Sequence, residues 1–337
     1  MNIYDVSERS GVSIATVSRV LNNNPHVSAK TRAKVLAVME ECGYVPNAFA
    51  RGLGLNTMKT IGLLCSFNVD AYTTQAVYNL ETALRERGYH CQLTFTGADS
   101  ASRISTIEEM CDRRVDGIIL IGSTFVEDEK CGNEHIRLAA RSTPIVSLNG
   151  SLDFENVYCV LCDDYRASKD ATLYLLNKGF KRVLHLCHGT TQSSLRKLEG
   201  FRDAYLEKGL PFDENLVQSA PLMSSQEKIT VVRDFLCRLQ REGLEFDAVF
   251  ASEDELAIAS IRYARFMNFA MPKEFAVIGY NNSNVCLYTD PELTSVAVRL
   301  PVLCQQCADI MVGVLEGREM PRTTIFNAEL VKRGSTP

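Results

Sequence analysis

Beyond residue 60, short apolar runs alternate with longer stretches whose apolar residues recur at helical spacing, and this happens twice over. The first series is Ile61 to Cys65, a helical stretch to Arg87, Gln92 to Phe95, another helical stretch to Arg113, and Ile118 to Ile121. The second has apolar runs at 183–186, 248–251 and 275–278, with helical stretches such as 166–178 and 254–267 between them. A strand that returns parallel to its predecessor needs a crossover, usually a helix, so this alternation predicts parallel sheets covered by helices. Two series predict two sheets, hence two lobes. Open parallel sheets take ligands at the carboxyl ends of their strands, which makes the cleft between the lobes the expected binding place.

The first sixty residues follow a different pattern. Ile3 to Ser10 has helical spacing, Gly11-Val12-Ser13 interrupts it, and Ile14 to Leu21 resumes a helix with Ser13 as N-cap. After the loop Asn22-Asn23-Asn24-Pro25, Ser28 caps a longer helix whose Val35, Val38 and Met39 close a three-helix core. This is a helix-turn-helix pattern. In its second helix Val17, Val20 and Leu21 form the core face, which leaves Ile14, Ala15, Ser18 and Arg19 pointing outwards, where a major groove is read. Charge agrees: residues 1–60 hold seven Lys or Arg against four Asp or Glu, a net +3, while the remainder carries −8 of the total −5. A basic module on an acidic body suits a nucleic-acid reader with a separate sensing domain.

The run from Asp5 through Gly11-Val12-Ser13, Thr16 to Asn22, Val27-Ser28, Thr31-Arg32, Gly43-Tyr44 and Pro46-Asn47-Ala48 resembles the headpiece of the lactose-repressor and galactose-repressor family of bacterial transcription regulators. The resemblance continues through Thr60 to Leu63, Arg87-Gly88-Tyr89, Val115 to Leu120, Asp290 to Val296 and Glu329 to Thr336, so it covers essentially the whole chain. It implies an α/β fold: a small all-α helix-turn-helix headpiece at 1–46, a hinge helix and linker at 47–59, and a two-lobed parallel α/β body at 60–337 like that of periplasmic sugar-binding proteins. The expected lobes are about 60–160 with 292–320, and about 163–290 with 322–337, with crossings near 160–164, 289–292 and 318–323.

It also implies a function: a homodimeric regulator, repressor more than activator, that binds a pseudo-palindromic operator and answers to a small polar effector, a sugar or sugar derivative, in the cleft. The candidate DNA contacts are Ser13, Ile14, Ala15, Thr16, Ser18, Arg19, Asn22, His26 and Ser28, joined by Asn47, Ala50 and Leu53 of the hinge. Leu53 stands where the family's intercalating leucine stands, and an apolar wedge between base steps kinks the duplex. Gly52 and Gly54 bracket it, each lowering helix propensity by about 1 kcal/mol, so the hinge is expected to be unfolded away from DNA. The candidate effector contacts are Asp70, Tyr72, Lys197, Glu253 and Asn281. Here the chain departs from the family: Asp70-Ala71-Tyr72-Thr73 replaces Asn-Pro-Phe-Phe, and Lys197 replaces an Arg before Gly200-Phe201. Glu253-Asp254 replaces Asn-Asp, and Gly279-Tyr280-Asn281-Asn282 replaces Gly-Phe-Asp-Asp. A Lys cannot copy the planar bidentate contact of an Arg.

Other chemistries are weaker. Cys159 and Cys162, like Cys304 and Cys307, have CxxC spacing, that of half a zinc site or a redox motif. On a strand, however, residues three apart face opposite sides, so buried thiols are the better account, and neither metal nor cofactor is expected. The His185-Leu186-Cys187-His188 run is read as structural. No nucleophile elbow, phosphate loop or dinucleotide fingerprint occurs, which argues against an enzyme. No apolar run reaches about 18 residues, and Met1-Asn2-Ile3-Tyr4-Asp5 opens with an acid, so a cytoplasmic protein with no membrane partner is expected. The competing class is a solute-binding protein of transport, which shares the body fold.

Overall fold

The computed structural model describes residues 2–22, 24–44, 57–66, 70–97, 99–126, 133–189, 191–221 and 227–337. The hinge candidates Asn47, Ala50 and Leu53, with Gly52 and Gly54, lie outside the described residues. No helix among the described residues is long and apolar enough to cross a membrane.

The headpiece is three helices, α1 (Ile3–Ser10), α2 (Ile14–Leu21) and α3 (Ala29–Glu41). At the start of α1 the Asn2 side chain accepts from the Tyr4 and Asp5 N–H groups, while the Asp5 carboxylate accepts the Asn2 N–H in return. Gly11, at φ 64, ends α1 in the left-handed conformation that glycine adopts without strain, and two residues later α2 begins. Val6, Val17, Val20, Val35 and Met39 form a closed core among the three helices. The Arg32 guanidinium donates to the carbonyls of Val20 at 3.3 Å and Asn24 at 2.7 Å, which fastens α3 to the end of α2 and the loop behind it.

The body strands are β1 (Thr60–Cys65), β2 (His90–Phe95), β3 (Gly117–Ile121), β4 (Ile145–Leu148), β5 (Val157–Cys162), β6 (Val183–Cys187), β7 (Val217–Ser219), β8 (Ala248–Ala251), β9 (Ala276–Tyr280), β10 (Thr294–Ala297), β11 (Thr323–Phe326) and β12 (Glu329–Val331). The helices are α4 (Ala71–Glu86), α5 (Ser100–Asp112), α6 (Glu134–Ala140), α7 (Asp164–Asn177), α8 (Gln192–Glu207), α9 (Lys228–Arg241), α10 (Asp254–Phe266) and α11 (Leu300–Leu315). One sheet has the order β11-β5-β4-β3-β1-β2 and the other β12-β10-β9-β8-β6-β7. Every pairing is parallel except that of β10 with β12. Central strands β3 and β9 are buried at every position, as sheets covered on both faces require.

The lobe boundaries read from the sequence need correction. Segment 292–320 was assigned to the first lobe, but β10 extends the second sheet, with Thr294 opposite Ile278 and Val296 opposite Tyr280. Segment 322–337 was assigned to the second, but β11 pairs with β5, Thr323 opposite Cys159. The later passages between lobes therefore lie at about 298–299 and 327–328, because each strand completes its sheet before the chain turns back.

In the second lobe α7 and α8 pack closely at Gly200. A Cβ built there would lie 2.1 Å from the Tyr165 carbonyl oxygen and 3.0 Å from the Lys169 nitrogen, both immovable backbone atoms. The closeness lets the Ser168 hydroxyl donate to the Lys197 carbonyl at 2.5 Å and the Tyr165 hydroxyl to Asp203 at 2.6 Å. Gly200→Ala is expected to push the helices apart and cost about 1–3 kcal/mol or more, read as a lower chemical-denaturation midpoint. An unchanged midpoint would mean that the pair can part freely.

Candidate functional sites: the headpiece face and the interlobe cleft

On the headpiece, Ile14, Ala15 and Arg19 are exposed on α2, while Thr16 and Ser18 are half-buried beside them. Thr16, Arg19, His26 and Ser28 line one concavity of about 490 Å³, with Asn24, Val27 and Thr31 between them. Two of the candidates are already engaged: Ser13 accepts the Thr16 N–H at 3.2 Å and Ser28 the Thr31 N–H at 3.2 Å, each as the N-cap of its helix. These helix starts face the concavity's rim with their positive ends, which suits anionic phosphates. Asn22 closes α2 through its backbone N–H, bonded to the Ser18 carbonyl.

Between the lobes is a cavity of about 380 Å³, and Asp70, Tyr72, Lys197, Glu253 and Asn281 all line it. Its walls are strand ends: Ser66 follows β1, Gly122 to Thr124 follow β3, Asn149 follows β4, His188 follows β6, Ser252 and Glu253 follow β8, and Asn281 follows β9. In both sheets the strand order reverses beside the first strand of the lobe, between β1 and β3 and between β6 and β8. At such switch points successive crossovers leave on opposite faces and a crevice opens.

Each side chain is held from behind. Asp70 caps α4 by accepting the Thr73 N–H at 2.7 Å. Tyr72 accepts from the Asn149 amide at 3.1 Å, and the other end of that amide accepts the Cys162 N–H at 3.0 Å. Lys197 is buried, with its ammonium 3.8 Å from the Tyr280 ring centre and donating to the Ser252 carbonyl at 3.3 Å. Tyr280 donates to one oxygen of buried Asp164 at 2.5 Å, and the Ser193 hydroxyl donates to the other at 2.6 Å. The loop carrying Asn281 is fastened by Asp254, whose carboxylate accepts the N–H and hydroxyl of Ser283, both at 2.7 Å, and the Ser295 hydroxyl at 2.5 Å. Gly279 makes room for that carboxylate: a Cβ there would lie 2.5 Å from the Asp254 Oδ1.

Glu253 has charge on several sides. The Lys228 ammonium is 2.5 Å from it and also 2.8 Å from Glu255, and the His188 Nε2 is 3.4 Å away. Burial alone would push the Glu253 carboxyl up, but the His188 ring and the Lys228 ammonium outweigh it and hold it down at about 2. Asp70, across the cleft, goes the other way: burial raises it, Thr73 opposes, and the charges of Glu253 and Glu255 add to the rise. The thiols of Cys65, Cys162 and Cys304 are pushed up to about 12, chiefly by burial, so they are poor nucleophiles and serve as packing.

Residues 2–47 match the family described as bacterial regulatory proteins, lacI family, and residues 172–336 match a periplasmic binding protein-like domain. An HTH-type transcriptional regulator of Lachnoclostridium phytofermentans is 43% identical over 336 residues, covering 100% of this chain and 99% of that one. The chain belongs to the lacI family. Within it, GalR of Escherichia coli is 28% identical, covering 99% of this chain and 95% of its own. Among solved structures, a complex of the regulator CelR with cellobiose superposes with a TM-score of 0.71 at 26% identity, covering 99% of both chains. A Lac repressor dimer bound to operator and an anti-inducer gives a TM-score of 0.84 at 21% identity over 100% and 99%, a likeness of fold. This lacI-family protein is thus a DNA-binding transcription regulator with a helix-turn-helix headpiece and a two-lobed α/β body.

Sequence reasoning passed over several cleft residues. His188 was taken as structural together with His185; the structure buries His185 in the β6 core and places His188 on the cavity wall. Ser66, Asn149 and His188 each stand directly after a strand, so the strand-end rule applied position by position points to them. Lys228 had no such signal, being at the start of α9 and reaching the site through Glu253.

Proposed function

We propose that this regulator is a cytoplasmic repressor that binds a pseudo-palindromic operator as a homodimer and releases or grips it according to a carbohydrate effector held between the lobes. It works by binding, not by catalysis. The reading rests on one observation above others: polar side chains from the strand ends of both lobes meet in a single cavity, so its occupancy acts on the lobe arrangement. A ligand that favours one arrangement shifts operator affinity, and operator shifts ligand affinity reciprocally. Hydroxyls, amides, carboxylates and an ammonium in the lining supply the mixed donors and acceptors that a polyhydroxylated ligand needs, and CelR, a relative in fold and sequence, was solved with cellobiose. A second copy has a place to dock: edge strand β2 exposes Leu93 and Phe95.

The test is selection of duplexes from a random pool by the full chain, followed by anisotropy titration of the winner with monosaccharides and disaccharides. A two-fold symmetric winner whose affinity at least one sugar changes is expected. An asymmetric winner, or none that any sugar affects, would defeat the reading. In the same assay Arg19→Ala is expected to cost about 1–3 kcal/mol and to relax preference at one base pair, since an exposed Arg on α2 can pair with guanine O6 and N7. Equal loss on every sequence would instead make Arg19 a phosphate contact. Asn281 has φ 94, where Ala is strained but Asp is tolerated, so Asn281→Asp is the cleaner probe of the cleft. It is expected to weaken the effector response about tenfold or more while operator affinity without effector stays as it was.

A further inference from the structure

Asn149 and Ser193 line the effector cavity and also a second cavity of about 630 Å³ beside it. The second is bounded by the loop after β4, the end of β5, one face of α8, and β11. Its lining has two characters. Leu161, Leu195 and Ile325 give it an apolar side, and Leu195 and Ile325 are 45% and 61% exposed, unusual for residues of their size. Asp163, Gln192 and Arg196 give it a polar side.

The wall between the lobes is fixed there. The Gln192 amide accepts the Ser151 N–H at 2.8 Å and donates to the Ser151 carbonyl at 3.1 Å, pinning the first turn of α8 to the loop after β4. The shared pair is equally fixed, Asn149 by Tyr72 and the Cys162 N–H, Ser193 by Asp164. A molecule seated in the first cavity therefore has a defined, adjoining space into which a substituent can extend. The first cavity, about 380 Å³, is near the lower end of the range for ligand pockets, about 300–1,000 Å³, and suits a single sugar ring with its hydration. A ring with apolar faces and polar edges matches the lining of the second.

We propose that the second cavity is a subsite for a second ring joined to the sugar in the first, so that the effector is a glycoside and not a free monosaccharide. This rests on the carbohydrate reading above. The second ring is another sugar or an aryl group, since both offer a flat apolar face, and Leu195 and Ile325 set the preference for ligands that carry it.

Calorimetry of the full chain tests this with glucose, galactose, mannose and xylose, each beside its disaccharides and its phenyl glycoside. The expected result is that at least one two-ring ligand binds about tenfold or more tightly than its parent sugar. Leu195→Trp, which fills the second cavity from an exposed helix position, is expected to abolish that difference while leaving the parent's affinity, and operator affinity without ligand, unchanged. Ile325→Trp fills the same space from β11 and serves should the first variant not fold. A parent sugar that binds as tightly as its glycosides, or a difference that persists in the variants, overturns the subsite while leaving the carbohydrate reading in place. Binding by no member of the panel overturns both. A phenyl glycoside preferred over every disaccharide identifies the second ring as aryl, and the reverse identifies it as sugar.

Discussion

Lys228→Met is expected to destabilise the body by about 3–5 kcal/mol, the loss seen when one partner of a buried ion pair is removed and the other remains. Lys228 is buried at the start of α9, and its ammonium lies 2.5 Å from Glu253 and 2.8 Å from Glu255. Met keeps the stem's volume, so the change is one of charge more than of packing. What remains is a cluster of Glu253, Glu255 and Asp70 around the cleft without its cation, and His188 alone to offset it. Glu253→Gln in the same chain is expected to restore much of the stability, because it removes the charge that lost its partner. Linkage gives a second readout. The Glu253 carboxyl is held at about 2, below its unfolded value of 4.5, so its stabilisation is full above that unfolded value and is lost as pH falls towards 2. In Lys228→Met that acid-side loss should shrink or reverse. Urea titrations at neutral and acid pH measure both effects, and a neutral-pH loss under about 1 kcal/mol would mean the pair is screened like a surface one.

The headpiece was the most legible part of the chain because its signals are local. A capping serine, a left-handed glycine and the spacing of Val17 and Val20 act within one or two helical turns, and the observed α2 begins and ends at the residues that pattern marks. The sheets were legible as a class for a related reason, since continuous apolar runs of four or five residues can only be strands covered on both faces. The allocation of β10 and β11 was not legible. Both are short, and which sheet each joins depends on hydrogen-bond partners more than 100 residues away for β11, Thr323 against Cys159. In the cleft, residues standing at strand ends could be found from the chain alone, whereas their supports could not. Asn149 holding Tyr72, Asp254 holding the loop after β9 and Lys228 holding Glu253 are contacts across the fold, and no local pattern records them.

The pH dependence of stability between about 6.5 and 5 is expected to come largely from His185, and His185→Phe is expected to remove it. His185 is fully buried on β6, stacked against Phe201 at 5.0 Å and Phe250 at 5.4 Å, and neither ring nitrogen has a hydrogen-bond partner. Burial first, and then the positive charge of Lys197, hold its pKa down at about 3 against an ordinary 6.5. The sign follows from proton counting: below 6.5 the unfolded chain takes up a proton that the native ring refuses, so stability is full above 6.5 and falls as pH drops towards 3. At about 1.4 kcal/mol per pH unit, roughly 2 kcal/mol is lost by pH 5, before most carboxylates begin to titrate. Phe offers a ring that stacks as well and has no nitrogen to leave unpaired, so at neutral pH the variant should be as stable as the parent or more so. Denaturation midpoints measured at half-unit steps from pH 7 to 5 decide the matter. A variant that loses stability with acid as steeply as the parent would move the proton uptake to another group, with His188 beside Glu253 next to be replaced.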